Sequence, residues 1–312
     1  MIISRTPLRI SFAGGGSDLP SYYRYDTGAV VATAIDKYIY ITVNPKFDRR
    51  IRASYSITEI VDHVDELKHE LIREALKLLD IDGGIGTGLG SSSTYTVGLL
   101  KALHAYKGEH VGAERLACEA CEIEITRCGK PVGKQDQYIG AYGGFQYMQF
   151  NGDESVFVDP IICAPLLKTQ LQERLLLLYM GTTRSANAIL REQQSNTGPA
   201  GAGRCGVQRM VRLAGELRDS LSCNNLDSFG EVLNAGWAEK KKLASSISNS
   251  QIDEWHDIAL QHGALGGKVL GAGGGGFLLF YARPECHEPI KRALPFRFEP
   301  QGSKIIYVEA EQ

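Results

Sequence analysis

Residues 83–93 read GGIGTGLGSSS, five glycines and three serines in eleven positions, and run straight into the apolar stretch TYTVGLLKALHAY. No other segment restricts the fold so strongly. Glycine lets a backbone take positive φ and come close to a ligand. A run of amide N–H groups ending at a helix N-terminus attracts anions, through unsatisfied donors and the helix dipole. Hydroxyls on the first turn can cap the helix, bind phosphate oxygens or ligate Mg2+. A capped helix after a flexible linker needs one serine and one glycine. The density here points instead to a phosphate cradle built from Gly86, Gly88, Leu89, Gly90, Ser91, Ser92 and Ser93, backed by a helix over about residues 91–106.

The cradle is neither of the two common nucleotide loops. The pattern GxxxxGK[ST] is absent from the chain. GxGxxG occurs at Gly271, Gly273 and Gly276, but the apolar FLLFYA that follows reads as a strand, where a dinucleotide fold needs a helix.

The chain has 312 residues and a formal net charge of −2, which argues against a nucleic-acid or anionic-membrane partner. It shows neither a basic-then-apolar leader nor a run long enough to span a bilayer, so a cytoplasmic protein is expected. Seven scattered cysteines, an odd number, fit a reducing compartment better than a disulfide scaffold. Cys118 and Cys121 form a CxxC, yet ERLACEACEIEI reads as a helix with no second ligand pair nearby.

Periodicity predicts an opening strand in IISRTPLRISF, one or two strands in AVVATAIDKYIYITVNPK, and helices near 66–79 and 112–127. GGFQYMQF and ESVFVDP should form a hairpin about an Asn-Gly-Asp turn. CAPLLKTQLQ reads as a connector, with a boundary near 165–172 and a buried strand, ERLLLLYM, after it. SNTGPAGAGRCG, residues 195–206, is the most loop-like stretch and is expected to be mobile. Helices at about 207–221, 226–244 and 251–262, a strand in GGFLLFYA, a proline-opened helix in PECHEPIKRAL and a last strand in SKIIYVEA complete an α+β pattern.

Two further glycine-rich segments, TPLRISFAGGGSDLPSYY near the start and KVLGAGGGGFLLFYA near the end, flank the central loop. The three in this order resemble the GHMP kinases, over nearly the whole chain. Within that superfamily PLRISFAGGGSD and GKQDQYIGAYGG look most like the D-glycero-D-manno-heptose 7-phosphate kinases, with Ser17 where threonine is usual. The resemblance implies two domains, a ribosomal S5-like N-terminal one over 1–168 that binds ATP and a ferredoxin-like C-terminal one over 169–312. It implies an ATP- and Mg2+-dependent kinase acting on the anomeric hydroxyl of a sugar phosphate, with a homodimer as one possible assembly. A kinase for fucose, galactose or a mannose derivative, or a non-catalytic ATP-binding sugar sensor, stays open.

The resemblance also assigns roles. Asp136 is the catalytic aspartate, which accepts or orients the sugar hydroxyl's proton, and Arg9 the catalytic cation. Ser92 and Glu124 are the Mg2+ ligands, with Glu122 close enough to compete until helix phase decides. Gly15, Gly16, Ser17 and Asp18 of the first motif, and Gly274 and Gly275 of the third, contact substrate. For the substrate's own phosphate, Lys134 and Arg184 are candidates because each sits beside an active-site turn; Arg49, Arg50 and Arg52 read as a solvated hairpin. One departure stands out. Family members often carry Pro-Pro just before the central loop, and here Asp82-Gly83-Gly84-Ile85 leaves the entry less preorganised and predicts a floppier loop without ATP, in an enzyme that is still active.

Overall fold

The computed structural model describes residues 1–88, 93–181, 186–287 and 293–309. The first part of the chain forms β1 (Ile2–Ala13), α1 (Pro20–Tyr23), β2 (Gly28–Pro45), β3 (Ile51–Ser54), β4 (Thr58–Val61), α2 (Glu70–Leu78), β5 (Ile85–Gly88), α3 (Ser93–Tyr106), α4 (Ala113–Cys121), α5 (Gln135–Tyr142), β6 (Phe145–Phe150) and β7 (Val156–Pro160). The rest forms α6 (Pro165–Arg174), β8 (Leu175–Tyr179), α7 (Ala186–Thr197), α8 (Arg204–Ser222), α9 (Phe229–Lys240), α10 (Ser250–Gln261), β9 (Ala264–Val269), β10 (Phe277–Ala282) and β11 (Lys304–Val308).

Among the described residues the strands make two sheets. The larger has eight strands, ordered β11-β1-β2-β5-β3-β4, with β6 and β7 branching from β2; the smaller is β8-β10-β9. β2 organises both halves because its side chains alternate between the two faces. Val30, Ala32 and Ala34 enter a core shared with α2, α3 and α4. Ala29, Val31 and Ile35 enter a second core with Leu217 of α8, Leu233 of α9, Leu177 of β8 and Leu279 of β10. The two-unit α+β architecture is therefore the observed one. The last strand, β11, pairs antiparallel with β1, so the chain's tail returns to the first sheet, which a single cut near 165–172 does not describe.

AVVATAIDKYIYITVNPK, all but its final Lys46, lies within one long strand, β2. The expected connector after Cys163 is instead helix α6, opened by Pro165 at its first position, where the missing N–H costs nothing. β3 and β4 escape the sequence reading because each has only four residues. The segment 195–206 is not an open loop. α7 runs to Thr197, α8 begins at Arg204, and the amides of Gly201 and Gly203 donate to the carbonyls of Gly198 and Asn196 at 2.9 Å each. In PECHEPIKRAL only a short helical turn, Pro284–Cys286, belongs to the described residues at the N-terminal end, and 288–292 lie outside them. All seven cysteines are free; Cys121 is buried and Cys118 exposed on α4.

The described segments on either side of residues 89–92 are fixed by their pairing and packing. β5 pairs antiparallel with β2 and parallel with β3, and stops at Gly88. Its approach is tied down in spite of the glycines: the Gly84 amide donates to the Arg49 carbonyl at 2.9 Å and the Lys46 amide to the Gly84 carbonyl at 2.8 Å. A side chain at Gly83 would stand 2.3 Å from the Arg49 carbonyl oxygen, so this contact needs glycine. Beyond the loop, α3 packs on β1 and β2 through Gly98, where an added Cβ would meet Thr6 Oγ1 at 2.8 Å.

Candidate active site

Arg9 lies on β1 between two irregularities of its pairing with β2, one at Pro7/Leu8 and one at Ser11/Ala13. Such bulges re-aim a side chain. The guanidinium meets Asp136, in the first turn of α5, through two hydrogen bonds: Nε donates to Oδ1 at 2.6 Å and a terminal nitrogen to Oδ2 at 3.0 Å. Burial works against the Arg9 charge, but the charge and hydrogen bonds of Asp136 outweigh it and raise the Arg9 pKa. This fork-to-fork pairing fixes both groups in one plane.

Asp18 is 2% exposed. Its carboxylate accepts from the Gly16 amide at 3.0 Å and the Gln135 amide at 3.2 Å, while its carbonyl accepts from the Lys134 amide at 3.2 Å. Burial raises the Asp18 pKa, the neighbouring Asp136 adds to that, and the two amides hold it back. The first motif and the turn before α5 are thus locked together. Arg9, Gly16, Asp18, Gln135 and Asp136 all face one cleft of about 690 Å³ between the two units of the fold.

The same cleft takes Glu124, which is 2% exposed, in a π-helical turn (Glu122–Arg127) that continues α4. Such turns recur at functional sites. Glu122 points elsewhere and accepts from Arg127 at 2.7 Å on the surface. A buried carboxylate facing the cleft suits a small oxygen-seeking cation that keeps most of its waters.

Other expectations fall differently. Ser17 is fully buried and its hydroxyl staples the loop, donating to the Gly14 carbonyl at 2.8 Å and accepting from the Ala29 amide at 3.0 Å. Gly15 sits beside Lys240 Nζ, which is 3.9 Å from where its Cβ would be. Gly274 and Gly275 are buried, and the Gly274 amide donates to the Ile247 carbonyl at 2.8 Å; Gly271 and Ala272 of that turn face the cleft in their place. Lys134 turns away. Its Nζ donates to Glu154 Oε2 at 2.7 Å and the Glu154 carbonyl at 2.9 Å, and lies 4.5 Å from the centre of the Tyr23 ring. It is therefore committed to a structural ion pair, not to the cleft. Gly86 and Gly88 belong to β5, and Ser93 opens α3. Leu89, Gly90, Ser91, Ser92 and Arg184 lie outside the described residues.

Several cleft groups have no motif to announce them. Tyr55 and His69 meet edge to face at 4.5 Å and line one wall. His69 caps α2, its Nδ1 accepting from the Ile72 amide at 3.3 Å, and burial together with the charge of Lys130 lowers its pKa, which favours a neutral imidazole. Lys240 of α9 and Gln193 of α7 line the same cleft. Arg9 and Asp136 also border a second cavity of about 580 Å³, lined mainly by apolar groups including Leu8, Ile35, Leu177 and Phe277.

The family model described as GHMP kinases N terminal domain matches residues 57–144, and that described as GHMP kinases C terminal matches residues 214–299. The chain is 28% identical to a D-glycero-alpha-D-manno-heptose 7-phosphate kinase of Campylobacter jejuni, over 97% of this chain and 98% of that protein. It is 26% identical to a bifunctional fucokinase/GDP-fucose pyrophosphorylase of Arabidopsis thaliana, over 89% of this chain but only 29% of that protein. A solved structure described as a D-glycero-D-manno-heptose 1-phosphate kinase from Bacteroides thetaiotaomicron superposes with a TM-score of 0.80 at 24% identity, covering 99% of this chain and 100% of that one. With both domain models matched in order across more than half of its length, the chain belongs to the GHMP kinase family.

Proposed function

We propose that this ATP-dependent kinase phosphorylates a sugar phosphate, D-glycero-D-manno-heptose 7-phosphate, at its anomeric hydroxyl to give the 1,7-bisphosphate. The observation that carries the chemistry is the two-point pairing of Arg9 with Asp136 at the cleft, next to buried Asp18. The substrate assignment rests on the similarity to the Campylobacter jejuni enzyme along almost the whole of both chains.

Phosphoryl transfer needs positioning and charge neutralisation more than covalent help. Asp136 keeps acceptor capacity beyond its two bonds to Arg9 and can take a hydrogen bond from the sugar hydroxyl, aligning it for attack and receiving its proton as the new bond forms. Arg9 holds that carboxylate in place and presents positive charge to the transferring group. Asp18, anchored by two amides, offers a fixed acceptor for other sugar hydroxyls. Tyr55 and His69 supply an aromatic wall, and a face of either ring is suited to stacking on the nucleotide base. Glu124, with Ser92 of the loop, would hold Mg2+, which when bound neutralises charge on the ATP phosphates. The product would feed nucleotide-activated heptose synthesis in the cytoplasm.

ADP release with Mg-ATP across heptose 7-phosphate, unphosphorylated heptose, fucose, galactose and mannose tests the reading. Selective turnover of heptose 7-phosphate, abolished by Asp136→Asn, is the expected result. Turnover of another sugar alone would replace the substrate, and nucleotide binding without turnover of any sugar would favour a sensor.

A further inference from the structure

Of the lysines that line the cleft, Lys68 is exposed and Lys130 half-buried, while Lys240 is buried and has no part in the chemistry above. Lys240 closes α9 and is 7% exposed. Its Nζ donates to the Gly271 carbonyl at 2.5 Å. An ammonium carries three donors, and a neutral carbonyl balances none of its charge. Neither nearby carboxylate bonds to it: Asp136 pairs with both arms of Arg9, and Asp18 accepts from two backbone amides. A further buried cation, Lys268 of β9, is 5% exposed and donates to the Phe12 carbonyl at 3.1 Å. Lys268 lies close enough to Lys240 and Arg9 for their charges to repel its own, and among the described residues no carboxylate bonds to Lys240.

A buried ammonium with no carboxylate bonded to it is costly until something neutralises it. The strain shows on Lys240, whose pKa is lowered to about 8 by burial first and by Arg9 second. Because Lys240 opens onto the cleft, an anionic ligand can provide the missing charge. Gln193, 2% exposed on α7, lines the same cleft, and its side-chain nitrogen has no hydrogen-bond partner among the described residues. A buried donor left unmet is expensive and marks a place prepared for an acceptor. Both groups come from the second half of the chain, and the charges that act on Lys240 are those of Arg9, Asp18 and Asp136, on the acceptor's side of the cleft.

We propose that Lys240 binds the acceptor's own phosphate, with Gln193 donating beside it, and thereby selects phosphorylated over unphosphorylated sugar. The inference rests on the kinase reading, and it places the phosphate on the second unit of the fold instead of on Lys134.

Calorimetric binding of heptose 7-phosphate and of unphosphorylated heptose tests it, on the full chain with Mg2+ and a non-hydrolysable ATP analogue. Wild type, Lys240→Met and Lys240→Arg are compared. Lys240→Met should weaken the phosphorylated sugar about 30-fold or more and leave the unphosphorylated one unchanged. Lys240→Arg, which keeps the charge, should retain much of the preference. Equal losses for both sugars would make Lys240 an anchor of the Gly271 turn and overturn the proposal, as would no loss for either. Weaker binding of the ATP analogue with sugar preference intact would assign Lys240 to the nucleotide and overturn it too. If wild type takes a different sugar phosphate, the heptose reading fails while the same paired comparison on that sugar decides Lys240. Turnover of unphosphorylated sugars alone would sink the role of Lys240 and leave the kinase standing.

Discussion

Gly133 lies against the carboxylate of Asp18 so closely that a Cβ on Gly133 would stand 1.9 Å from Asp18 Oδ2. Any side chain there must push Asp18 off the amides of Gly16 and Gln135 or push the start of α5 away from β1. Gly133→Ala should cost about 1–3 kcal/mol, as overpacking does elsewhere, and raise the acceptor KM. Thermal unfolding and steady-state kinetics check this. A variant with wild-type Tm and KM would show that the two segments shift independently.

Asp136→Asn keeps the shape of the side chain but loses the proton acceptor and the charge facing Arg9. We expect kcat to fall about 100-fold or more, with a smaller change in KM. Arg9→Lys should also be damaging, because an ammonium cannot reproduce the two-point contact. ADP-release kinetics on both variants measure the effect.

Lys240 titrates near 8 in the folded chain, below the ordinary lysine value of 10.5. Below the lower value both folded and unfolded chains keep it charged, and the fold bears the full penalty of that buried charge. Between the two values the folded chain releases a proton that the unfolded chain retains, so the penalty fades as pH rises. The stability difference between Lys240→Met and wild type should favour the variant most below about pH 8 and shift toward wild type above it. Urea midpoints across that range report the trend; a flat difference would mean that Lys240 does not titrate there.

His104 makes the opposite prediction. Its fully buried ring joins α3 to Glu109 and Glu119, with Nδ1 2.8 Å from one carboxylate and Nε2 2.7 Å from the other. Burial lowers its pKa, but the two carboxylates outweigh burial and raise it above the ordinary 6.5. The contribution is complete below that value and disappears as pH rises through the folded pKa. His104→Leu should therefore lose most relative to wild type in mild acid, and the gap should close in alkali. Chemical denaturation at a series of pH values tests this.

The parts of the site that sequence reveals are those carried by glycine-rich motifs. Arg9, Asp18 and Asp136 stand out in the sequence because backbone constraints around them leave a pattern, and the fold brings them together across more than a hundred residues. Lys240 and Gln193 leave no such trace: each lies on a helix whose spacing records only which residues are buried. Lys134 shows the converse error, since sitting beside Asp136 in sequence does not say which way a residue at the start of a helix points. Glu122 and Glu124 are two residues apart, and only the π-helical turn fixes which of them faces the cleft. Among the elements, α6 carries its proline signal, but a weakly amphipathic pattern hides the helix behind it.

β2 gives alternate side chains to two different cores, Val30, Ala32 and Ala34 to one and Ala29, Val31 and Ile35 to the other. Neither half can shed this strand without opening the other, and β1, which carries Arg9, is paired along it. The two family domains should therefore melt in one cooperative transition, and a fragment ending near residue 168 would expose an apolar face in place of its partner. Two modules by family would then be, in thermodynamic terms, a single piece.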